Sequence, residues 1–103
     1  MPKKLKVAET RDLLSGTGKL IQADGHEIAL FNVDNEFFAI DNVCSHSGGP
    51  LCEGELSADT VECPWHGAQF NVKTGVAMCP PAPANVRSFP VEVKDNDVFI
   101  ELD

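Results

Sequence analysis

The sequence lacks any apolar run of the roughly 20 residues that a membrane-spanning helix needs. It also lacks helical periodicity over any useful length, which speaks against a helical bundle. Basic residues are scarce, eight against sixteen acidic, for a formal charge of −8. That balance repels nucleic acid and anionic lipid and favours a protein partner with a basic face. The opening MPKKLKVAE is basic but leads into no apolar export signal, so the expected location is the cytoplasm. Tyrosine is absent, tryptophan occurs once, and there are only three histidines and four cysteines. In a reducing compartment those cysteines are expected as ligands or thiols rather than disulfides.

What the chain does have is a series of short apolar runs separated by turn signals. Strands are expected at Lys3 to Ala8, Gly18 to Ala23, Glu27 to Asn32, Glu36 to Ile40, Thr60 to Glu62, Gln69 to Val72, Val76 to Met78, Val86 to Val93 and Val98 to Leu102. Asp24-Gly25, Asp34-Asn35, Thr74-Gly75 and Asp95-Asn96 are of types that tolerate positive φ and close hairpins. Only Thr10 to Leu14 reads as a brief helical turn. The length allows one domain with one core, residues 1–103, and the pattern predicts an all-β, small antiparallel sandwich or barrel. Two segments interrupt it, Cys44 to Leu56 and Cys79 to Asn85, and long irregular segments in a compact domain usually carry function.

The scarce residues come in pairs. Cys44 and His46 form C-x-H in CSHSGG, and Cys63 and His66 form C-x-x-H in CPWHGA. Each pair follows an apolar strand, so two loops can meet at one end of a sheet, each offering a thiolate and an imidazole. Such a set suits a tetrahedral zinc, or a two-iron, two-sulfide cluster with both cysteines on one iron and both histidines on the other. Small zinc modules usually pair like with like, C-x2-4-C beside H-x3-5-H. Mixed pairing in each loop favours the cluster.

CSHSGG, CPWHGAQFN and PPAPANVRSFPV together resemble the two cluster loops and the proline loop of Rieske proteins, above all the small ferredoxins that supply electrons to oxygenases. The resemblance implies a sandwich of three antiparallel sheets with the cluster loops at one tip. It also implies one 2Fe-2S cluster, held by Cys44 and Cys63 on the inner iron and His46 and His66 on the outer one. The implied role is a monomeric one-electron carrier, not a catalyst, between a flavin-containing reductase and a terminal oxygenase. Two other readings are a Rieske-like small subunit of an NADH-dependent nitrite reductase and a zinc-stapled binding module.

With two thiolates and two neutral imidazoles the oxidised site is neutral and one electron makes it −1, whereas four thiolates would take it from −2 to −3. Reduction is therefore easier, in a range of about −150 to +300 mV rather than roughly −400 mV. High-potential relatives add a Ser after the second-loop HG, a nearby Tyr and a disulfide between the loops. Here Ala68 follows His66-Gly67, Gly49 and Trp65 stand where the paired cysteines would be, and no Tyr exists. The expected potential is at the low end of the range.

The remaining candidates have plainer readings. Cys52 and Cys79 are expected as free, partly buried thiols, and His26 as an exposed turn residue. Trp65 fits packing and a partner surface equally, and Pro50, Trp65 and Pro80-Pro81 are expected to rim the tip. Lys3, Lys4 and Lys6 read as a weak, solvated basic patch.

Overall fold

The computed structural model describes residues 3–44, 49–65, 67–79 and 84–102. The elements are β1 (Lys3–Glu9), a 3-10 turn at Thr10–Asp12, β2 (Thr17–Ala23), β3 (His26–Val33), β4 (Glu36–Asp41), a 3-10 turn at Leu51–Glu53, β5 (Glu55–Ser57), β6 (Thr60–Glu62), β7 (Gln69–Asn71), β8 (Ala77–Cys79), β9 (Ser88–Phe89), β10 (Val91–Lys94) and β11 (Asp97–Leu102). They form three antiparallel sheets, ordered β1-β11-β10, β2-β3-β4-β9 and β5-β6-β7-β8. The expected three-sheet, all-β architecture is therefore present. Among the described residues no helix is long and apolar enough to cross a membrane.

Alternation along β3 explains how the sheets stack. Successive side chains of a strand point to opposite faces. Ile28 and Leu30 enter a core with Ile100 and Leu102 of the first sheet, while Ala29 and Phe31 enter a second core with Val61 and Phe70 of the third. All four β3 residues are fully buried, so the run IALF reads as continuously apolar because its sheet is covered on both sides. The middle sheet is thus the shared wall between a distal core and the core that carries the cysteine loops.

The strands differ from expectation in two places. Val86 to Val93 is not one strand: Pro90 separates β9, which pairs with β4, from β10, which pairs with β11 in another sheet. Proline has no N–H to give a ladder, so the chain changes sheets there. Strand β5 was not expected, because its two-residue turn to β6 contains Ala58 in the left-handed region at φ 52° in place of the usual Gly or Asn. The expected Asp24-Gly25 and Asp34-Asn35 turns both have positive φ at their two central positions. Of the helical turn expected at Thr10 to Leu14, only Thr10–Asp12 is helical, as a 3-10 turn.

Candidate metal centre

Both cysteine loops are built from narrow hairpins on the second core. In the first, the Leu51 N–H donates to the Asn42 carbonyl at 2.7 Å, Val43 bridges Pro50, and the Cys44 N–H donates to the Gly49 carbonyl at 2.9 Å. In the second, which joins β6 to β7, the Cys63 N–H donates to the Ala68 carbonyl at 2.7 Å and the Gly67 N–H returns to the Cys63 carbonyl at 3.1 Å. The left-handed φ of 77° at Gly67 allows that tight return.

Gly49 is where the loops meet. A Cβ placed on it would lie 2.8 Å from Cys63 Sγ and 3.0 Å from Cδ2 of Trp65, leaving room for hydrogen only. Cys44 and Cys63 are 2% and 1% exposed and share the second core with Leu51, Val61, Ala68 and Phe70. Cys44, Cys52 and Cys63 are outside any disulfide. Two buried thiols brought to one loop junction are the donor chemistry a thiophilic metal centre requires. His46 and His66 lie outside the described residues, as do Pro80 and Pro81. Among the described residues no three His, Cys, Asp or Glu side chains gather as a metal site.

Asn42 is a supporting residue that the sequence reading did not single out. It is buried, its N–H donates to the Glu27 carbonyl, its carbonyl takes the Leu51 N–H, and its Oδ1 takes the Cys52 N–H at 2.8 Å. It ties both ends of the first loop to β3. The only hint in the sequence is its place two residues before Cys44. Cys52 is half-buried, and burial, reinforced by the Glu53 carboxylate, pushes its thiol pKa up, which keeps it protonated and unreactive.

Two other expectations need correction. His26 is not an exposed turn residue: it opens β3, is half-buried, and meets the Phe89 ring edge-on, with the ring centroids 5.9 Å apart. Lys3, Lys4 and Lys6 are exposed as expected, but they do not form a patch of unpaired charge, because each is ion-paired, with Asp24, Glu92 and Asp97 respectively. Glu92 and Asp97 come from strands of the same sheet, and Asp24 from the β2-β3 turn of the second sheet. The cysteine-bearing lobe is different. Among described residues 49–79 it has Glu53, Glu55, Asp59 and Glu62 against the single cation Lys73, and Glu55 faces Glu62 across the β5-β6 pair. Around the same end Val43, Trp65 and Met78 are exposed, Trp65 by 59%.

The three-sheet sandwich and the two cysteine loops at one end coincide with a family match: the Rieske [2Fe-2S] domain matches residues 3–90. The chain belongs to this family. The ferredoxin component of the naphthalene 1,2-dioxygenase system of Pseudomonas putida is 36% identical over 91 residues, 88% of each chain. The 3-phenylpropionate/cinnamic acid dioxygenase ferredoxin subunit of Escherichia coli (strain K12) is 51% identical over 76 residues, 73% of this chain and 72% of that one. The ferredoxin of carbazole 1,9a-dioxygenase from Nocardioides aromaticivorans IC177 has a similar structure, with a TM-score of 0.91 at 29% identity over 95% of this chain and 96% of that one. This Rieske protein is accordingly a ferredoxin whose cofactor is one 2Fe-2S cluster.

Proposed function

We propose that residues 1–103 act as one unit, a monomeric cytoplasmic carrier that takes one electron from a flavin-containing reductase and gives it to a terminal oxygenase. Cys44 and Cys63 would hold the inner iron, and His46 and His66 the outer one. Bound there, the cluster would supply reversible one-electron chemistry and no other. The observation that carries this reading is the meeting of both loops at Gly49 with each cysteine sealed in the second core. Buried thiolates keep water from the inner ligands, and the exposed Val43 and Trp65 offer a partner an apolar contact beside the site. Relatives named as ferredoxin components of dioxygenase systems support an oxygenase as the acceptor.

The excess of carboxylates over cations among the described residues of the cysteine-bearing lobe favours a partner with a cationic face, so electron transfer should slow as salt rises. Rates insensitive to salt would count against that face. The ligand set is tested by visible and EPR spectra of oxidised and dithionite-reduced protein, with iron and sulfide assayed together. A red-brown protein whose reduced average g lies below that of four-cysteine clusters is expected. A colourless, zinc-containing protein would overturn the reading.

A further inference from the structure

The indole of Trp65 makes a contact that runs from one loop to the other. It belongs to the second loop, yet a Cβ on Gly49 of the first would be 3.0 and 3.1 Å from its Cδ2 and Cγ atoms. The same Cβ would press on Cys63 Sγ at 2.8 Å, so Gly49, Cys63 and Trp65 form one tight contact. Trp65 is nevertheless 59% exposed, too open for an ordinary core residue. An aromatic ring packed on a glycine backbone and more than half exposed has little holding it beyond local contact, and it can swing away without unfolding the sandwich.

We propose that Trp65 is a noncovalent latch. Its indole closes on Gly49 and holds the two loops together, and its release sets the rate at which iron is lost. The idea rests on the reading of Cys44 and Cys63 as iron ligands. Gly49 is the latch's seat, because any side chain there would push the indole, the sulfur or both.

The test is iron release from the intact protein to a strong chelator, followed by loss of visible absorbance, with its dependence on urea. Trp65→Ala should speed release about tenfold, equivalent to ~1.4 kcal/mol. Trp65→Leu and Trp65→Phe should fall between it and the wild type, with Phe nearer the wild type. The urea dependence of release should stay much shallower than that of global unfolding, because only the loops open. Gly49→Ala should also speed release, and less so when Trp65 is already Ala, since half of the clash is gone.

An unchanged rate in Trp65→Ala would overturn the latch. So would a urea dependence as steep as unfolding, or independent effects of the two substitutions. Should Trp65→Ala take up no cluster, the order of the Phe and Leu variants decides the matter. A wild-type protein without iron and sulfide would overturn the ligand reading itself, whereas a loaded protein with Trp65-independent release would overturn only the latch.

Discussion

Replacing Asn42 by alanine removes a side chain that is 4% exposed and whose Oδ1 accepts the Cys52 N–H at 2.8 Å. The donor left behind is half-buried beside the second core, and an unsatisfied buried donor costs about 1–3 kcal/mol. The Asn42 backbone bonds to Glu27 and Leu51 can survive, so the loss should be local rather than global. The expected destabilisation is about 2 kcal/mol. With an m-value of roughly 1–1.5 kcal/mol/M, the urea midpoint should drop by about 1–2 M with m unchanged.

Asn42→Asp keeps the acceptor but buries a carboxylate near Glu27 and Glu53, the two carboxylates that also bear on the Cys52 thiol. Burial and like charge both raise that carboxylate's pKa. A raised pKa means stability that is present at low pH and lost as pH rises through it, so the Asp variant should approach the wild type in acid and fall behind near neutrality. The assay is urea denaturation of both variants across pH. An alanine variant within about 0.3 kcal/mol of wild type, a surface-like value, would refute the role assigned to Asn42. So would an Asp variant whose deficit ignores pH.

Ala68 is fully buried in the core that holds Cys63, and its carbonyl accepts the Cys63 N–H, so Ala68→Ser adds a hydroxyl close to the proposed ligand loop. A hydrogen bond stronger by about 0.5–1.5 kcal/mol in the reduced, more negative state would raise the potential by roughly 20–60 mV for one electron. Voltammetry reads it directly, and an unchanged or lower potential would contradict the charge reasoning. Ala58→Gly should stabilise the protein by about 1 kcal/mol by relieving the left-handed φ of 52°, and a lower denaturation midpoint would argue against strain there. Lys3 holds Asp24, and Lys4 holds Glu92, below the usual carboxylate range, through a side-chain hydrogen bond first and charge second. Lowered folded-state pKa values mean stability that is present above about pH 4 and lost as pH falls further. Asp24→Asn should therefore flatten the acid limb of the midpoint against pH, modestly because the pair is exposed. An unchanged limb would mean that the pair contributes nothing.

Much of this molecule is legible along the chain because it depends on neighbours in sequence. Turn pairs such as Asp24-Gly25 and Asp34-Asn35 mark hairpins, since only a few residue types take positive φ at low cost. Strand β6 is where expected at Thr60–Glu62, and the cysteine and histidine pairs announce a metal site by their scarcity and spacing. The hairpin at Ala58 was illegible for the complementary reason: alanine carries no turn signal, and the pairing of β5 with β6 holds it in a conformation it would not choose.

Tertiary structure alone decided the rest. Asn42 looks like any polar residue near a strand end until β3 and Cys52 are packed around it. Lys3, Lys4 and Lys6 look like a basic patch until the fold sets Asp24, Glu92 and Asp97 beside them. Gly49 looks like loop glycine until the second loop places Cys63 and Trp65 against its Cα. Residue type and spacing declare which atoms can bind a metal, but bringing two loops into contact depends on burying strands far apart in sequence, and that cooperation is not encoded at any one position.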